Sequence, residues 1–226
     1  MSLETLQARW ASVLRTSQQG STAPKLLSIC GPSGSGKTTI CRALKGFYQV
    51  YIEDGQNNPH LHKLIEGSKD FDAAANQHWF LDRMEQFIDA AHDRQIVLDQ
   101  DPAAIVLAYS RMFHEESIMT TTQYTSLMED LLRIENKLQR WKCPRVVLCI
   151  DAPAEVLRAR VVRRVGESLA PPLAWFARVR ECFRDLWPRF PNVVSVPTVH
   201  LTPEQVIARA RQLLEDLSDV ERGQAS

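Results

Sequence analysis

Gly31-Pro-Ser-Gly-Ser-Gly36-Lys37-Thr38 sets two glycines, a lysine and a hydroxyl residue at the fixed spacing G-x-x-x-x-G-K-[ST]. That pattern binds phosphate. Glycines let consecutive backbone N–H groups turn inward, and a helix N-terminus adds its partial positive charge. Gly31, Ser33, Gly34, Ser35, Gly36, Lys37, Thr38 and Thr39 are the expected contacts to a nucleotide's phosphates. Lys37 can reach the β- and γ-phosphates, and the Thr38 hydroxyl can ligate Mg²⁺. ATP and Mg²⁺ are therefore the expected cofactors.

Further along the chain, acidic groups close apolar runs at Glu53-Asp54, at Asp99 with Asp101, and at Asp151. Asp99 has the placement of a metal-supporting aspartate at a strand end. Asp151 precedes a proline-started helix and reads more readily as a cap. Glu53 suits a general base, because an acceptor hydroxyl near a γ-phosphate must be oriented and deprotonated. Arg158, Arg160, Arg163 and Arg164 crowd one helix end, where they could fold over a triphosphate and spread developing charge.

The elements that position these groups follow from periodicity. The apolar run before Gly31 predicts a buried strand feeding the loop, with a helix from Thr38 to Leu44 behind it. Further strands are expected at Phe47–Ile52, Ile96–Leu98, Arg145–Ile150 and Val193–Val196. Helical patterns lie between them at Phe71–His92, Ala103–Phe113, Thr122–Trp141, Pro153–Val165 and from Pro172 to about Trp187. Gly55 to Pro59 reads as a break in the chain. A last helix is expected over Glu204–Leu217. Strands alternating with helices predict an α/β fold, a three-layer arrangement with a central parallel sheet of about five strands.

The expected organisation is an N-terminal helix and polar linker (1–24), one phosphate-loop domain (25–217) with an arginine-bearing lid around 158–170, and a polar tail (218–226). Lysine plus arginine and aspartate plus glutamate both number 27, so no global charge points to nucleic acid or a membrane surface. The five cysteines include no C-x-x-C pair, and Cys30 and Cys149 fall inside strand runs as core thiols. No apolar run reaches bilayer length and no signal-peptide pattern opens the chain, so a reduced cytoplasmic location is expected. The sequence is compatible with a homodimer and does not choose the oligomeric state.

From about Leu26 to Val196 the pattern resembles the deoxynucleoside kinases, the branch with deoxyadenosine, deoxyguanosine and deoxycytidine kinases. The resemblance rests on YIEDGQNNPHL (51–61), NQHWFLDR (76–83), Asp99-Gln100-Asp101, Asp151-Ala-Pro-Ala-Glu-Val-Leu and Arg160-x-x-x-Arg164. It implies transfer of the γ-phosphoryl group of ATP to a nucleoside-like hydroxyl. Glu53 would be the base, Gln77 the nucleobase contact, and Arg160 and Arg164 the lid cations. Trp79 and Phe80 could wall the acceptor, although core packing is the commoner role for either.

Gln100 and Asp101 stand where the family has arginine and serine, and Val165-Gly166 where a further lid arginine is usual. Either the site still serves an ordinary deoxynucleoside less well, or the pair adapts it to another acceptor. The second is favoured, because an unpaired aspartate facing phosphates is repulsive unless it binds a hydroxyl-rich or cationic acceptor group. The rival readings are a nucleoside-monophosphate kinase, with Arg83 or Arg111 on the acceptor phosphate, and a non-catalytic nucleotide-binding protein.

Overall fold

The structure, a computed structural model, describes residues 1–16, 26–46, 48–53, 55–65, 70–91, 96–139, 145–199 and 201–212. The expected linker 17–24, the tail 218–226, the end of the last helix, Asp54 and Cys143 lie outside the described residues.

Five strands form one sheet: β1 (Leu26–Cys30), β2 (Gln49–Tyr51), β3 (Ile96–Asp99), β4 (Arg145–Asp151) and β5 (Val193–Pro197). Their order is β2-β3-β1-β4-β5, and every pairing is parallel. Every residue of β1, β3 and β4 is buried, as strands covered on both faces must be. The period of two then sorts side chains between two cores. Leu26, Cys30, Ile96, Leu98, Val147 and Cys149 face one; Leu27, Ile29, Val97, Val146, Leu148 and Ile150 face the other.

The first core is roofed by α1 (Leu3–Thr16), α4 (Ala73–Ala90), α7 (Thr121–Gln139) and α9 (Leu173–Leu186). The second is closed by α2 (Lys37–Leu44) and by the helix at 203–212, through Val206 and Ala210. α4 starts where the Asp72 carboxylate accepts from the Ala75 N–H at 2.9 Å. α8 (Ala154–Val165) follows Pro153 and stops at Gly166, whose φ of 92° suits glycine.

Two elements depart from the expectations. Gly55–Pro59 does not simply break the chain, because α3 (Pro59–Ile65) begins there. Buried Asn58 caps it, its Oδ1 accepting from the His60 and Leu61 N–H groups, while its Nδ2 donates to Asn76 Oδ1 at 2.9 Å and ties α3 to α4. The expected helix 103–113 is also not uniform. It runs as α5 (Pro102–Ala104), a π-helical turn (Ile105–Ser110) and α6 (Arg111–Glu115). The Ser110 hydroxyl also donates to Ile105 O at 2.8 Å, spanning the same i→i+5 interval as the turn.

Candidate active site

β1 delivers Gly31 to the carboxyl edge of the sheet, where parallel α/β folds collect ligands. The chain cannot carry a side chain at Gly31. A Cβ there would lie 2.2 Å from Ile150 O and 2.9 Å from Ser35 Oγ. Gly34 has φ 83° and packs so near α8 that a Cβ would meet Leu157 O at 2.6 Å. Both close approaches hold the loop against β4 and α8, with α2 starting directly behind it at Lys37.

Lys37 is buried and folds back along the loop, donating from Nζ to Gly31 O at 2.8 Å and Pro32 O at 3.2 Å. One residue on, the Thr38 hydroxyl donates to Asp99 Oδ2 at 2.7 Å. Asp99 Oδ1 is buried and meets no side-chain donor among the described residues, although the Glu53 backbone N–H also favours the Asp99 carboxylate. Burial raises the Asp99 pKa, against the opposing pull of Lys37 and Thr38. A hydroxyl beside a carboxylate with a spare oxygen fits a Mg²⁺ ion whose other ligands are phosphate oxygens and water.

Glu53 follows β2 and is half-buried at the same edge. Burial pushes its carboxyl up to about 7; Lys37 opposes the shift, Asp99 adds to it, and Arg164 opposes it. A carboxylate poised near neutrality can take a proton from a hydroxyl at physiological pH. The structure thus brings Lys37, Thr38, Asp99 and Glu53 together, with the exposed Arg164 of α8 close enough for its charge to be felt.

Other expected site residues are placed differently. Arg160 does not project as a lid cation. Its guanidinium donates to Thr198 O at 2.9 Å, to Thr198 Oγ1 at 3.1 Å, and to the Gly34 and Ser35 carbonyls at 3.4 Å each. Arg160 thus ties α8 to the Gly34 and Ser35 carbonyls of the loop and to Thr198. Asp151 is no simple cap: Arg180 holds it bidentately at 2.8 and 2.9 Å. Gln77 is 4% exposed on α4, and its amide pairs with no described residue. Phe80 is buried in the core, with half-buried Trp79 packed edge-on against it at 5.3 Å and Arg83 over the indole. Phe80 therefore takes the packing role.

Gln100 and Asp101 are corrections. Neither side chain is offered to an acceptor. Gln100 is 1% exposed, and both its amide atoms meet Gly31. Asp101 is fully buried, accepting from the Ala103 N–H at 2.9 Å as the cap of α5. Its other oxygen lies 3.3 Å from Arg145 Nη1, which also bonds Glu135 at 2.9 Å, and Trp10 of α1 donates to the same glutamate. Burial raises the Glu135 pKa, with Arg145 opposing. An aspartate that looked unpaired in the sequence is part of a buried ionic cluster under α1.

Tyr109 was missed by sequence reasoning. It sits in the π-helical turn against Phe183 (5.4 Å) and Trp175 (6.2 Å). Burial, and then the negative charge of Glu53, raise its hydroxyl pKa, which places it on the Glu53 side of the loop. The only signal in the sequence is an aromatic ten residues after Asp99, which reads equally well as core.

No protein-family model matches the chain, and no curated protein matches its sequence. Solved structures do match its architecture. A deoxyadenosine kinase from M. mycoides with the products dCMP and a flexible dCDP bound superposes with a TM-score of 0.69 at 14% identity, covering 84% of this chain and 98% of that one. The same enzyme with dCTP gives 0.66 at 14% identity, and with dATP 0.62 at 16%; each covers 83% of this chain and 97% of that one. The fold is that of these kinases.

Proposed function

We propose that this chain is an ATP-dependent phosphotransferase of the deoxynucleoside-kinase type, moving the γ-phosphoryl group to a hydroxyl of a nucleoside or nucleoside-like acceptor. The observation that carries the reading is Glu53, a carboxyl raised to about 7 beside Lys37 and the Thr38–Asp99 pair. A loop built only to bind nucleotide has no use for a base tuned to neutrality. The fold shared with nucleotide-bound deoxyadenosine kinases supports the same reading.

Loop amides and Lys37 hold the polyphosphate, Lys37 leaving Gly31 O and Pro32 O to do so. Thr38 and Asp99 would hold Mg²⁺, which supplies neutralisation of phosphate charge when bound. Glu53 takes the acceptor proton as its oxygen attacks phosphorus, and Arg164 stabilises the charge that develops. Gln77 offers a donor and an acceptor to a base edge. An uncharged acceptor is favoured over a nucleoside monophosphate. Arg111 is committed to Glu115 at 2.7 Å and Asp185 at 3.1 Å, while Arg83 lies over Trp79, so neither stands ready to clamp an acceptor phosphate. The free, buried thiols Cys30, Cys41, Cys149 and Cys182 suit a reducing cytoplasm.

The test is ADP formation over a panel of nucleosides, nucleoside monophosphates and sugars, repeated across pH. A base must be ionised, so kcat/KM for the best nucleoside should rise with pH through about 7 and then level off. Well below that point it should fall about tenfold per pH unit. Preference for a monophosphate, or a flat profile down to pH 5, would contradict the assignment.

A further inference from the structure

We infer that Gln100 is a positioning residue for the phosphate-binding loop, its amide staying on the Gly31 carbonyl when Lys37 leaves it. The inference rests on the polyphosphate reading of that loop. It begins with the sheet. β1 and β3 pair in parallel up to Ile29 opposite Asp99, and the Gln100 N–H then donates to Ile29 O at 3.0 Å. Here the backbone of β3 turns away toward α5, leaving the N–H and C=O of Gly31 with no further strand to meet.

The Gln100 side chain takes over that rung. Its Oε1 accepts from the Gly31 N–H at 3.3 Å, and its Nε2 donates to Gly31 O at 3.4 Å. Only a side chain with a donor and an acceptor side by side can do both. Arginine has no acceptor, and an ionised carboxylate has no donor.

The backbone at Gln100 points to a role for that amide. Its φ of 87° lies in the left-handed region, where a residue with a Cβ is strained and glycine is favoured. The neighbouring Asp101 caps α5 and pairs with Arg145 on the other side of the chain. The turn is therefore held firmly, and glycine would satisfy it without strain. What glycine could not supply is the pairing with Gly31.

The consequence lies in Lys37. Gly31 O accepts from Lys37 Nζ at 2.8 Å as well as from Gln100. When Lys37 moves to phosphate oxygens, a carbonyl at a buried loop start would lose its donor. Gln100 Nε2 remains on it. Departure of the lysine thus leaves no unsatisfied buried carbonyl, and the first peptide of the loop keeps its orientation.

The experiment is calorimetric binding of ATP with Mg²⁺, paired with thermal unfolding, on wild type and two variants. Gln100→Gly relieves the strained φ and removes the amide. Its unfolding midpoint should equal or exceed that of wild type, while its Kd rises about tenfold, roughly the effect of one net hydrogen bond. Stability kept or raised while affinity falls is the signature; a merely structural role would lower stability and affinity together. Gln100→Met is the second variant. It keeps the length of the side chain but has neither an N–H donor nor an oxygen acceptor, so its Kd should rise as in Gln100→Gly.

A Gln100→Gly variant that binds within about twofold of wild type would overturn the inference. So would a Gln100→Met variant that binds as tightly as wild type. ATP binding reads the loop whether or not any acceptor is phosphorylated. A wild-type chain that binds ATP but phosphorylates nothing overturns only the proposed activity, whereas one that binds no polyphosphate overturns both.

Discussion

Lys37→Ala is expected to lower turnover by at least roughly a hundredfold, the scale of losing one electrostatic donor to a transition state. Lys37 is the cation already bound to the first carbonyls of the loop, and moving its ammonium group from Gly31 O to a phosphate oxygen is a local swing. Neither lid arginine is placed to substitute. Arg160 is engaged with Thr198 and the loop carbonyls, and Arg164 approaches from the Glu53 side. The fold should survive, because the Lys37 ammonium makes no ion pair among the described residues and Gln100 still satisfies Gly31 O. Near-normal turnover in a steady-state ATP assay would remove the phosphate-site assignment on which the proposed reaction depends.

Glu53→Gln separates binding from chemistry. The amide keeps the size and hydrogen-bonding capacity of the carboxyl but cannot accept a proton at neutral pH. ATP affinity should change little, while phosphoryl transfer falls by about two orders of magnitude or more. The rise in rate with pH should also vanish from the residual activity, since the group raised to about 7 is gone. Calorimetry and a pH–rate profile on the same variant check both parts. Wild-type turnover with the profile intact would move the base elsewhere, with Asp99, the described carboxylate whose charge acts on Glu53, next in line.

Much of this architecture was legible because several local signals agreed. The run Leu26–Cys30, the glycine spacing and the amphipathic Lys37–Leu44 specify strand, loop and helix in the order that phosphate binding requires. Asp99 and Glu53 were legible because carboxylates closing apolar runs in a parallel sheet must emerge at one edge. Asn58-Pro59 was misread. Asparagine before proline also starts a helix, and the nearby glycine and asparagines obscured that signal.

The side chains of successive residues at a strand end were not legible. Gln100 and Asp101 part in opposite directions because Gln100 takes a positive φ that no feature of the sequence announces. The partner of Asp101 is Arg145, a charge at the start of a strand that reads as exposed until Glu135 and Trp10 are seen to enclose it. Arg160 and Arg164 share a helix and a spacing of four. One is drawn to Thr198 by the packing of β5 beside β4, and spacing alone cannot reveal that contact. The π-helical turn carrying Tyr109, with the Ser110 hydroxyl reaching back to Ile105 O, is also missed by periodicity.

The most direct measurement follows the γ-phosphoryl group itself. ATP labelled at the γ-phosphate is incubated with the purified chain, Mg²⁺ and a panel of deoxynucleosides and ribonucleosides, and the products are separated and identified by mass. The expected result is label on a nucleoside hydroxyl, as a monophosphate formed in step with ADP, with label transfer lost in Lys37→Ala and Glu53→Gln. Label appearing only as inorganic phosphate, at a rate indifferent to nucleoside and to Glu53, would contradict the assignment.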